Sequence, residues 1–179
     1  MIRKSIARAY ARAIIKSVKS DQELIEIKNQ LEEVFEFVSS SRELFELLSK
    51  PIISVEKRKE LLNKIISKLK TGKIATNLLN LLVSGYRINY LSHIIDILKE
   101  EIDRKEGIIR GEFVTANSVD ELILRRAEEG LSRLLNRKVV LKNTIDKNII
   151  GGAIVRIGSI EIDGSVARRI KSIENINIF

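Results

Sequence analysis

The sequence predicts an α+β fold, with an N-terminal six-helix bundle followed by a small α/β C-terminal domain. Over the first hundred residues, apolar side chains recur at intervals of three and four, which is typical of amphipathic helices. After Gly107 the period changes, and short segments typical of strands alternate with helical ones. Aromatic residues are only 4% of the 179, so aliphatic side chains must fill both cores. We place the domain boundary between residues 105 and 106, where the period changes.

Start and stop signals along the chain mark the six helices of the first domain. Residues 3–18 form the first predicted helix, whose many alanines allow a neighbouring helix to approach closely. Ser20 and Glu23 form a capping box, in which two side chains satisfy the first free N–H groups of a helix. Pro51 breaks the chain after a short third helix, and Ser54 is a candidate N-cap for the fourth. The fifth and sixth helices follow, separated by a turn that contains glycine.

The second domain is predicted to run strand, helix, strand, strand, strand, helix. The first two strands are predicted over residues 108–115 and 138–145. Ser118 and Glu121 form a second capping box ahead of the helix that joins them. The predicted apolar stripe of this helix comprises Ile123, Ala127, Leu131, Leu134 and Leu135.

A hairpin and a final helix complete the second domain. Gly158–Ser159 is a two-residue loop of the hairpin type, between strands predicted over residues 153–157 and 160–162. The final helix begins near Ser165, and either Asp163 or Ser165 itself caps it. We see no internal repeat and no low-complexity segment that would add a further element.

The residue types that carry most enzyme chemistry are scarce. The chain has no cysteine and one histidine, His93, which excludes disulfides, thiolate metal sites and a histidine pair within one chain. No glycine-rich phosphate loop or GxSxG elbow is present, and Gly151–Gly152 is interpreted as a turn or bulge. Glu161 and Asp163, with Asp146 in a turn, make a thin cluster beside the about six to eight oxygen ligands that calcium takes. We predict a binding protein with no catalytic residues, no cofactor and no metal.

The charge and hydropathy patterns favour an ordinary soluble protein. The net charge is +8, but lysine and arginine are spread along the chain among glutamate and aspartate, which is typical of a solvated surface. No apolar run reaches the roughly 18 residues of a membrane span. Arg8 and Arg12 interrupt the start of the chain, so we do not expect a signal peptide. We expect a soluble protein in a reducing compartment.

Five segments of the chain, taken in order, resemble one protein family. The specific ones lie near the C-terminal end, at residues 150–158 and 162–170. The alanine- and arginine-rich helix at residues 7–14 is weak evidence by itself, and looser agreement lies at 50–53 and 87–91. These segments resemble the delta subunit of F-type ATP synthases, the relative of the mitochondrial oligomycin-sensitivity-conferring protein. The resemblance spans the whole chain and implies the same fold that periodicity predicts.

One segment departs from the family pattern. Family members often have Asn-Gly-Arg at the turn into the sixth helix, whereas this chain has Ser84-Gly85-Tyr86-Arg87. The departure concerns the conformation of this turn and leaves the resemblance of the other segments unchanged.

The resemblance implies a non-catalytic stator subunit. Such a subunit links the catalytic head of the synthase to the peripheral stalk, so that proton-driven rotation is coupled to ATP synthesis. Residues 1–105 would receive the N-terminal helix of an alpha subunit, and residues 106–179 would meet the C-terminal ends of the stalk's b subunits. One copy per complex is implied, with no nucleic acid and with membrane attachment only through the complex. The place implied is the cytoplasmic face of a bacterial membrane, or the stromal face of the thylakoid for a plastid-encoded chain.

The resemblance also implies where the alpha-subunit helix binds, in a trough between the first and fifth helices. The matching positions are Ile6, Tyr10 and Ala13 on the first helix and Leu78 and Leu81 on the fifth. Small side chains let a visiting helix approach, and Tyr10 adds area and one hydrogen bond. Leu78 could instead only pack the bundle. Leu81 is offset from the main stripe, which favours a partner-facing role.

Two alternatives stay open at the level of sequence. Arg168 and Arg169 are candidates for contact with acidic residues of the stalk, or they are solvated surface. The other concerns function, because a basic helical bundle also resembles transcription antitermination factors, which bind RNA. The +8 charge favours that alternative, whereas scarce aromatic residues and the lack of an RNP-type or KH-type motif count against it.

Overall fold

The computed structural model describes the backbone of residues 2–174 and the side chains of residues 5–172. The chain divides into two compact units, Met1–Ile102 and Asp103–Phe179. The α+β class is confirmed, since the first unit is helical and the second contains a four-stranded sheet.

Six helices build the first unit, as the periodicity predicts. They are α1 (Ile2–Ser17), α2 (Asp21–Ser39), α3 (Arg42–Ser49), α4 (Val55–Leu69), α5 (Lys73–Ser84) and α6 (Leu91–Glu106), with a 3-10 turn at Ile88–Tyr90. Their apolar stripes meet in one aliphatic core. Its fully buried members include Leu24, Leu31, Leu62, Leu79, Leu82, Ile94 and Leu98. A bundle with such a core presents its surface grooves on rigid elements.

Serine side chains begin three of these helices, and one cap differs in detail from the prediction. Ser54 Oγ accepts a hydrogen bond from the Lys57 N–H at 3.4 Å, as predicted for the fourth helix. Ser20 Oγ likewise accepts from the Glu23 N–H at 3.2 Å. The Glu23 carboxylate, however, accepts from the Lys19 N–H at 2.8 Å and not from Ser20. The glutamate therefore satisfies the N–H that precedes the cap, because its side chain reaches beyond the cap residue.

The second unit has the predicted order of strands and helices. Its elements are β1 (Ile108–Thr115), α7 (Glu121–Leu135), β2 (Lys138–Ile145), β3 (Ala153–Ile157), β4 (Ile160–Asp163) and α8 (Val166–Glu174). The strand order in the sheet is β2-β1-β3-β4. The strands β1 and β2 are parallel and joined through α7, while β3 and β4 are antiparallel neighbours. This arrangement leaves β2 and β4 at the two edges.

The start of α7 corrects one prediction. Asp120, and not Ser118, is the N-cap, since its carboxylate accepts a hydrogen bond from the Leu122 N–H at 3.2 Å. Aspartate caps a helix as well as serine does, and Asp120 stands directly before the first helical residue. The predicted capping box of Ser118 with Glu121 is therefore wrong.

The apolar stripe of α7 is also rotated from the predicted one. The side chains that pack against the sheet are Leu124, Ala127, Leu131 and Leu135. Ile123 and Leu134, which the prediction places in the stripe, are exposed. Seven of the fifteen residues of α7 are leucine, isoleucine or alanine, and they are spread around the helix. Periodicity alone therefore did not fix which side of the helix meets the sheet.

The structure shows which of the two candidate residues caps α8 and how glycines shape the turns before it. Ser165 caps α8, because its Oγ accepts from the Arg168 N–H at 3.3 Å. Asp163 supports this cap by accepting from the Ser165 N–H at 2.8 Å. Gly158 has φ +58° at the first position of the predicted hairpin loop, a conformation that glycine adopts without strain. Gly152 has φ +82°, and a Cβ there would lie 2.5 Å from the Gly164 carbonyl oxygen.

Within residues 2–174, no helix combines the length and the apolar character that crossing a membrane requires.

Candidate functional site

An open groove of about 410 Å³ lies between α1 and α5 of the first unit. It is lined mainly by apolar atoms. The lining side chains are Tyr10, Ala13, Ile14 and Ser17 from α1 and Ile74, Asn77, Leu78 and Leu81 from α5. Each helix contributes residues spaced three or four apart, so each wall is a single helical ridge. A groove with two ridged walls matches the shape of a third helix laid along it.

The groove stays open because α1 presents small side chains and α5 turns one leucine away from the core. Ala7 and Ala11 of α1 are fully buried against the bundle, which draws the helix close to the core. Leu78 is only 7% exposed and forms the floor, whereas Leu81 is 56% exposed and forms the rim. Successive residues of a helix differ by about 100°, so Leu81 lies off the buried side that Leu82 occupies. An exposed leucine beside an apolar groove extends the apolar patch, and such patches are typical of binding sites.

The structure brings together four of the five residues predicted to line the trough. Tyr10, Ala13, Leu78 and Leu81 all line the groove. Ile6 is half-buried and does not belong to the lining, because it lies a full turn towards the start of α1. Leu78 is mostly a core residue, which favours the alternative of bundle packing for most of its side chain. The binding roles of these residues stay predictions.

Four lining residues were not predicted, namely Ile14, Ser17, Ile74 and Asn77. The signal that could have found them is simple helical spacing. Ile74 and Asn77 lie four residues before Leu78 and Leu81, on the same side of α5. Extending the predicted positions by one turn along each helix would have recovered the whole lining.

A hydrogen bond fixes the tyrosine at one end of the groove. Arg87 Nη1 donates to the Tyr10 hydroxyl oxygen at 2.9 Å. This bond raises the pKa of Arg87 from its ordinary value, so the guanidinium stays charged. The contact occupies an acceptor position of the Tyr10 hydroxyl, while its proton remains available for an acceptor on a partner. Tyr10 is therefore held by the turn that follows α5.

That turn is the segment in which the chain departs from the family pattern, and a buried arginine supports it. Tyr86 has φ +57°, a left-handed conformation that costs about 1–2 kcal/mol for a residue with a Cβ. Arg58 of α4 has no exposed surface, and its Nη1 donates to the Val83 carbonyl oxygen at 2.9 Å. Its guanidinium carbon lies 3.8 Å from the centre of the Tyr86 ring. One side chain thus holds both the end of α5 and the ring of the strained residue.

Arg58 was not predicted, and its environment is unusual. Among the described residues, its Nε and Nη2 atoms have no hydrogen-bond partner. Burying an incompletely bonded guanidinium is unfavourable, and the cation–π contact with Tyr86 offsets part of that cost. The only signal in the sequence is spacing, since Arg58 precedes Leu62 and Ile65 at the intervals of the buried stripe of α4.

The carboxylates considered for a metal site are engaged elsewhere. Glu161 accepts a hydrogen bond from Arg156 Nε at 2.8 Å, and Asp146 accepts from the Asn148 N–H at 2.9 Å. Hydrogen bonds from Ser165 lower the pKa of Asp163. In the part of the chain that the structure describes, no group of three or more histidine, cysteine, aspartate or glutamate side chains could hold a metal ion.

The remaining predicted residues lie in the second unit. Arg168 and Arg169 are exposed in the first turn of α8. Their side chains form no ion pair within residues 5–172, so both alternatives, a contact with the stalk and a solvated surface, stay open.

Comparisons with known proteins agree along the whole chain. A family model described as ATP synthase delta (OSCP) subunit matches residues 6–176. The ATP synthase subunit delta of Anaeromyxobacter dehalogenans (strain 2CP-1 / ATCC BAA-258) is 33% identical over 174 residues, which are 97% of each chain. That of Clostridioides difficile (strain 630) is 32% identical over 166 residues, covering 92% of this chain and 91% of the relative.

A solved structure shares the fold. A chain in the cryo-EM structure of the Toxoplasma gondii mitochondrial ATP synthase hexamer matches with a TM-score of 0.66. The match covers 98% of this chain and 97% of that chain at 19% sequence identity. Nothing in these comparisons favours the RNA-binding alternative.

Proposed function

The chain belongs to the ATP synthase delta (OSCP) subunit family, and from this premise we propose that it is the non-catalytic stator subunit of an F-type ATP synthase. It links the catalytic head to the peripheral stalk and keeps the head from turning with the rotor. Proton-driven rotation is thereby coupled to ATP synthesis at sites on other subunits. One copy serves each complex, at the cytoplasmic face of a bacterial membrane, and attachment to the membrane runs through the complex alone.

The observation that carries this proposal is the groove between α1 and α5. Its occupant in the proposed function is the N-terminal helix of an alpha subunit. A helix in a groove buries apolar residues of both partners, and full burial of a leucine contributes about 1.5–3 kcal/mol. Leu81 has more than half of its surface still to bury. The rigid core beneath the groove suits a link that must transmit torque, because little of the load is lost in deformation of the receiver.

The second unit provides the other end of the link. In the proposed function it meets the C-terminal ends of the b subunits of the peripheral stalk. Arg168 and Arg169 are placed on the exposed side of α8, where acidic residues of a stalk helix could reach them.

The groove is tested with the double variant Tyr10→Asp/Leu81→Asp. Two buried carboxylates at the interface would be unpaired, so we expect the affinity for a peptide of the alpha-subunit N-terminus to fall by about 100-fold or more. Isothermal titration calorimetry measures the affinity, and circular dichroism checks that the helices persist. Ile52→Asp is the matched control, since Ile52 is as exposed as Leu81 but lies outside the groove. An unchanged affinity of the double variant would show that the helix binds elsewhere.

A further inference from the structure

The helix α5 ends in a left-handed turn in which a tyrosine stands where glycine is usual. The Tyr86 N–H donates to the Val83 carbonyl oxygen at 3.3 Å. The Arg87 N–H donates to the Leu82 carbonyl oxygen at 2.7 Å. Together these two bonds form a Schellman motif, whose left-handed residue is usually glycine because a Cβ is disfavoured there. Since Tyr86 has φ +57° at that position, the turn needs support from outside itself.

This support comes from Arg58 of α4, which contacts the turn at two points. Arg58 precedes Val83 by 25 residues, and its Nη1 donates to the Val83 carbonyl oxygen at 2.9 Å. That oxygen therefore accepts from the guanidinium as well as from the Tyr86 N–H. The guanidinium carbon also lies 3.8 Å from the centre of the Tyr86 ring. One buried cation thus holds both the backbone and the side chain of the left-handed turn.

Stability alone does not account for a charge at this position. Arg58 has no exposed surface, and among the described residues its Nε and Nη2 atoms have no hydrogen-bond partner. A buried cation with unsatisfied donors is often less stable than an apolar side chain of similar volume. The hydrogen bond and the ring contact of this guanidinium both go to the turn, which points to a role in shaping it.

The residue that follows the turn reaches the groove. Arg87 is the next residue after Tyr86, and its Nη1 donates to the Tyr10 hydroxyl oxygen at 2.9 Å. The bond joins residues 77 positions apart and connects the end of α5 to α1, the two helices that form the walls of the groove. Because φ of Tyr86 sets the direction in which the chain leaves α5, a change of that angle would move Arg87 relative to Tyr10.

We propose that Arg58 is a positioning residue for the groove. It holds the left-handed turn at Tyr86, and the turn places Arg87. Arg87 then fixes the Tyr10 hydroxyl before a helix binds, leaving its proton for a carbonyl or carboxylate oxygen of that helix. A side chain that is ordered in advance loses less rotamer freedom on binding, which raises the affinity. The inference rests on the proposed function, because the groove is the surface that Arg58 prepares.

The first experiment measures the affinity of the full chain for a peptide of the alpha-subunit N-terminus, by isothermal titration calorimetry. Arg58→Met keeps the volume and removes the hydrogen bond to the turn, so we expect the affinity to fall by about five-fold, the loss of one hydrogen bond. In a Tyr10→Phe background, which lacks the hydroxyl, the same change should alter the affinity by less than about two-fold. Equal losses in the two backgrounds would show that Arg58 acts on the bundle as a whole, and would overturn the inference.

A rescue variant tests the turn itself. Glycine adopts the left-handed conformation without support, so Arg58→Met/Tyr86→Gly should bind the peptide within about two-fold of the unaltered chain. Arg58→Met/Tyr86→Ala is the matched control, because alanine differs from glycine by one methyl group but keeps the strain, and it should stay weak. Glycine restores no charge, so recovery cannot come from long-range attraction of the peptide. If glycine and alanine bind equally weakly, the turn is not the route by which Arg58 acts and the inference is refuted.

Two further variants separate positioning from folding. Val38→Ala removes volume at a position of α2 that is nearly as buried as Arg58 but lies outside the groove. It should lower the melting temperature and leave the affinity for the peptide unchanged. Arg87→Met, at an exposed position, should do the reverse and weaken binding as Arg58→Met does while the melting temperature changes little. An unchanged affinity in Arg87→Met would contradict the proposed route to Tyr10.

A measurement without the peptide distinguishes the inference from the proposed function. The NMR chemical shift of Tyr10 Cζ, in selectively labelled full chain, responds to the hydrogen bond from Arg87. It should move in Arg58→Met towards its value in Arg87→Met, and return in Arg58→Met/Tyr86→Gly. A shift that does not move in Arg58→Met refutes the positioning whether or not the peptide binds. If the shift moves as expected but the unaltered chain does not bind the peptide, the proposed occupant of the groove is refuted and the positioning of Tyr10 stands.

Discussion

The two units differ in how completely each covers its own apolar surface. Among the residues whose side chains are described, 22 buried apolar residues cluster in the first unit and five in the second. Of the twelve large apolar side chains that stay exposed, nine belong to the second unit, although it is the shorter one. Among the described residues, the first unit thus buries most of its large apolar side chains in its own core, and Leu81 at the α1–α5 groove is one of three that stay exposed. The second leaves a larger share of its surface for a partner to cover, so the two ends of the proposed link differ physically.

The largest expected difference between the units is in their stability when each is produced as a separate fragment. We expect residues 1–105 to fold alone into a helical domain with a cooperative thermal transition, since they contain the whole large core. The complementary fragment, residues 103–179, should melt at least about 10 °C lower, because each kcal/mol moves the midpoint of such small domains by about 4–8 °C. Circular dichroism during heating measures both. A random-coil spectrum for residues 1–105 would show that the bundle depends on the second unit.

A smaller effect is expected from the buried charge of the first unit. Arg58→Ala should lower the free energy of unfolding by about 2–4 kcal/mol, because it leaves a cavity beneath Tyr86 and frees the Val83 carbonyl. Arg58→Met keeps the volume and removes the incompletely bonded charge, so it should cost less than about 1.5 kcal/mol. Urea denaturation of the full chain measures the differences.

Lys59→Ala, at an exposed position of the same helix, is the control for the arginine variants and should change stability little. Equal losses for Arg58→Ala and Arg58→Met would mean that the charge itself, and not the volume, stabilises the bundle. That result would weaken the view of the first unit as a core held mainly by apolar packing.

The smallest effect concerns acid stability. Partial burial acts to raise the pKa of Glu32, but hydrogen bonds and charge from Lys99 and Lys28 outweigh it and lower the pKa below the ordinary value of 4.5. A lowered pKa in the folded state means that the contribution of Glu32 is complete above pH 4.5 and is lost as the pH falls below that value. Glu32→Gln should therefore lower the free energy of unfolding at neutral pH. The variant should also lose less of that free energy than the unaltered chain does as the pH falls.

Thermal unfolding of the full chain from pH 7 to pH 3 measures this dependence, with Glu33→Gln, an exposed neighbour, as the control. A decline in acid that is identical in the unaltered chain and in Glu32→Gln would show that the ion pairs of Glu32 contribute nothing. Apolar packing would then outweigh these ion pairs in the stability of the first unit, which sharpens the contrast between the units.

Much of the fold was predictable because its signals are local. The predicted strands at 108–115 and 138–145 match the observed ones, since turn residues bound both segments. Ser54 was predictable as a cap because a serine before an apolar helical stripe has few other roles. The family resemblance implied that Tyr10 and Leu81 face a trough, and both line the groove in the structure. Their role in binding stays a prediction.

The remaining features depend on contacts between residues far apart in sequence. The periodicity of α7 allowed several orientations on the sheet. Hydrogen bonds that Glu128 and Ser132 accept from N–H groups of β2 stabilise the orientation that exposes Ile123 and Leu134. Similarly, the burial of Arg58 depends on Tyr86, a residue in another turn of the bundle. No pattern within one helix contains this information.

The sequence by itself determined the order of helices and strands and the scarcity of catalytic residue types, because periodicity and composition are properties of the chain before it folds. The family was recognisable from the resemblance of the segments at residues 150–158 and 162–170. The tertiary structure alone decided that Leu78 forms the floor of the groove, that Ile6 lies outside it, and that the isoleucines of β4 stay exposed. The physical reason is that the burial of a side chain is a property of its neighbours in space. Two leucines three residues apart, Leu78 and Leu81, have the same chemistry and opposite exposure.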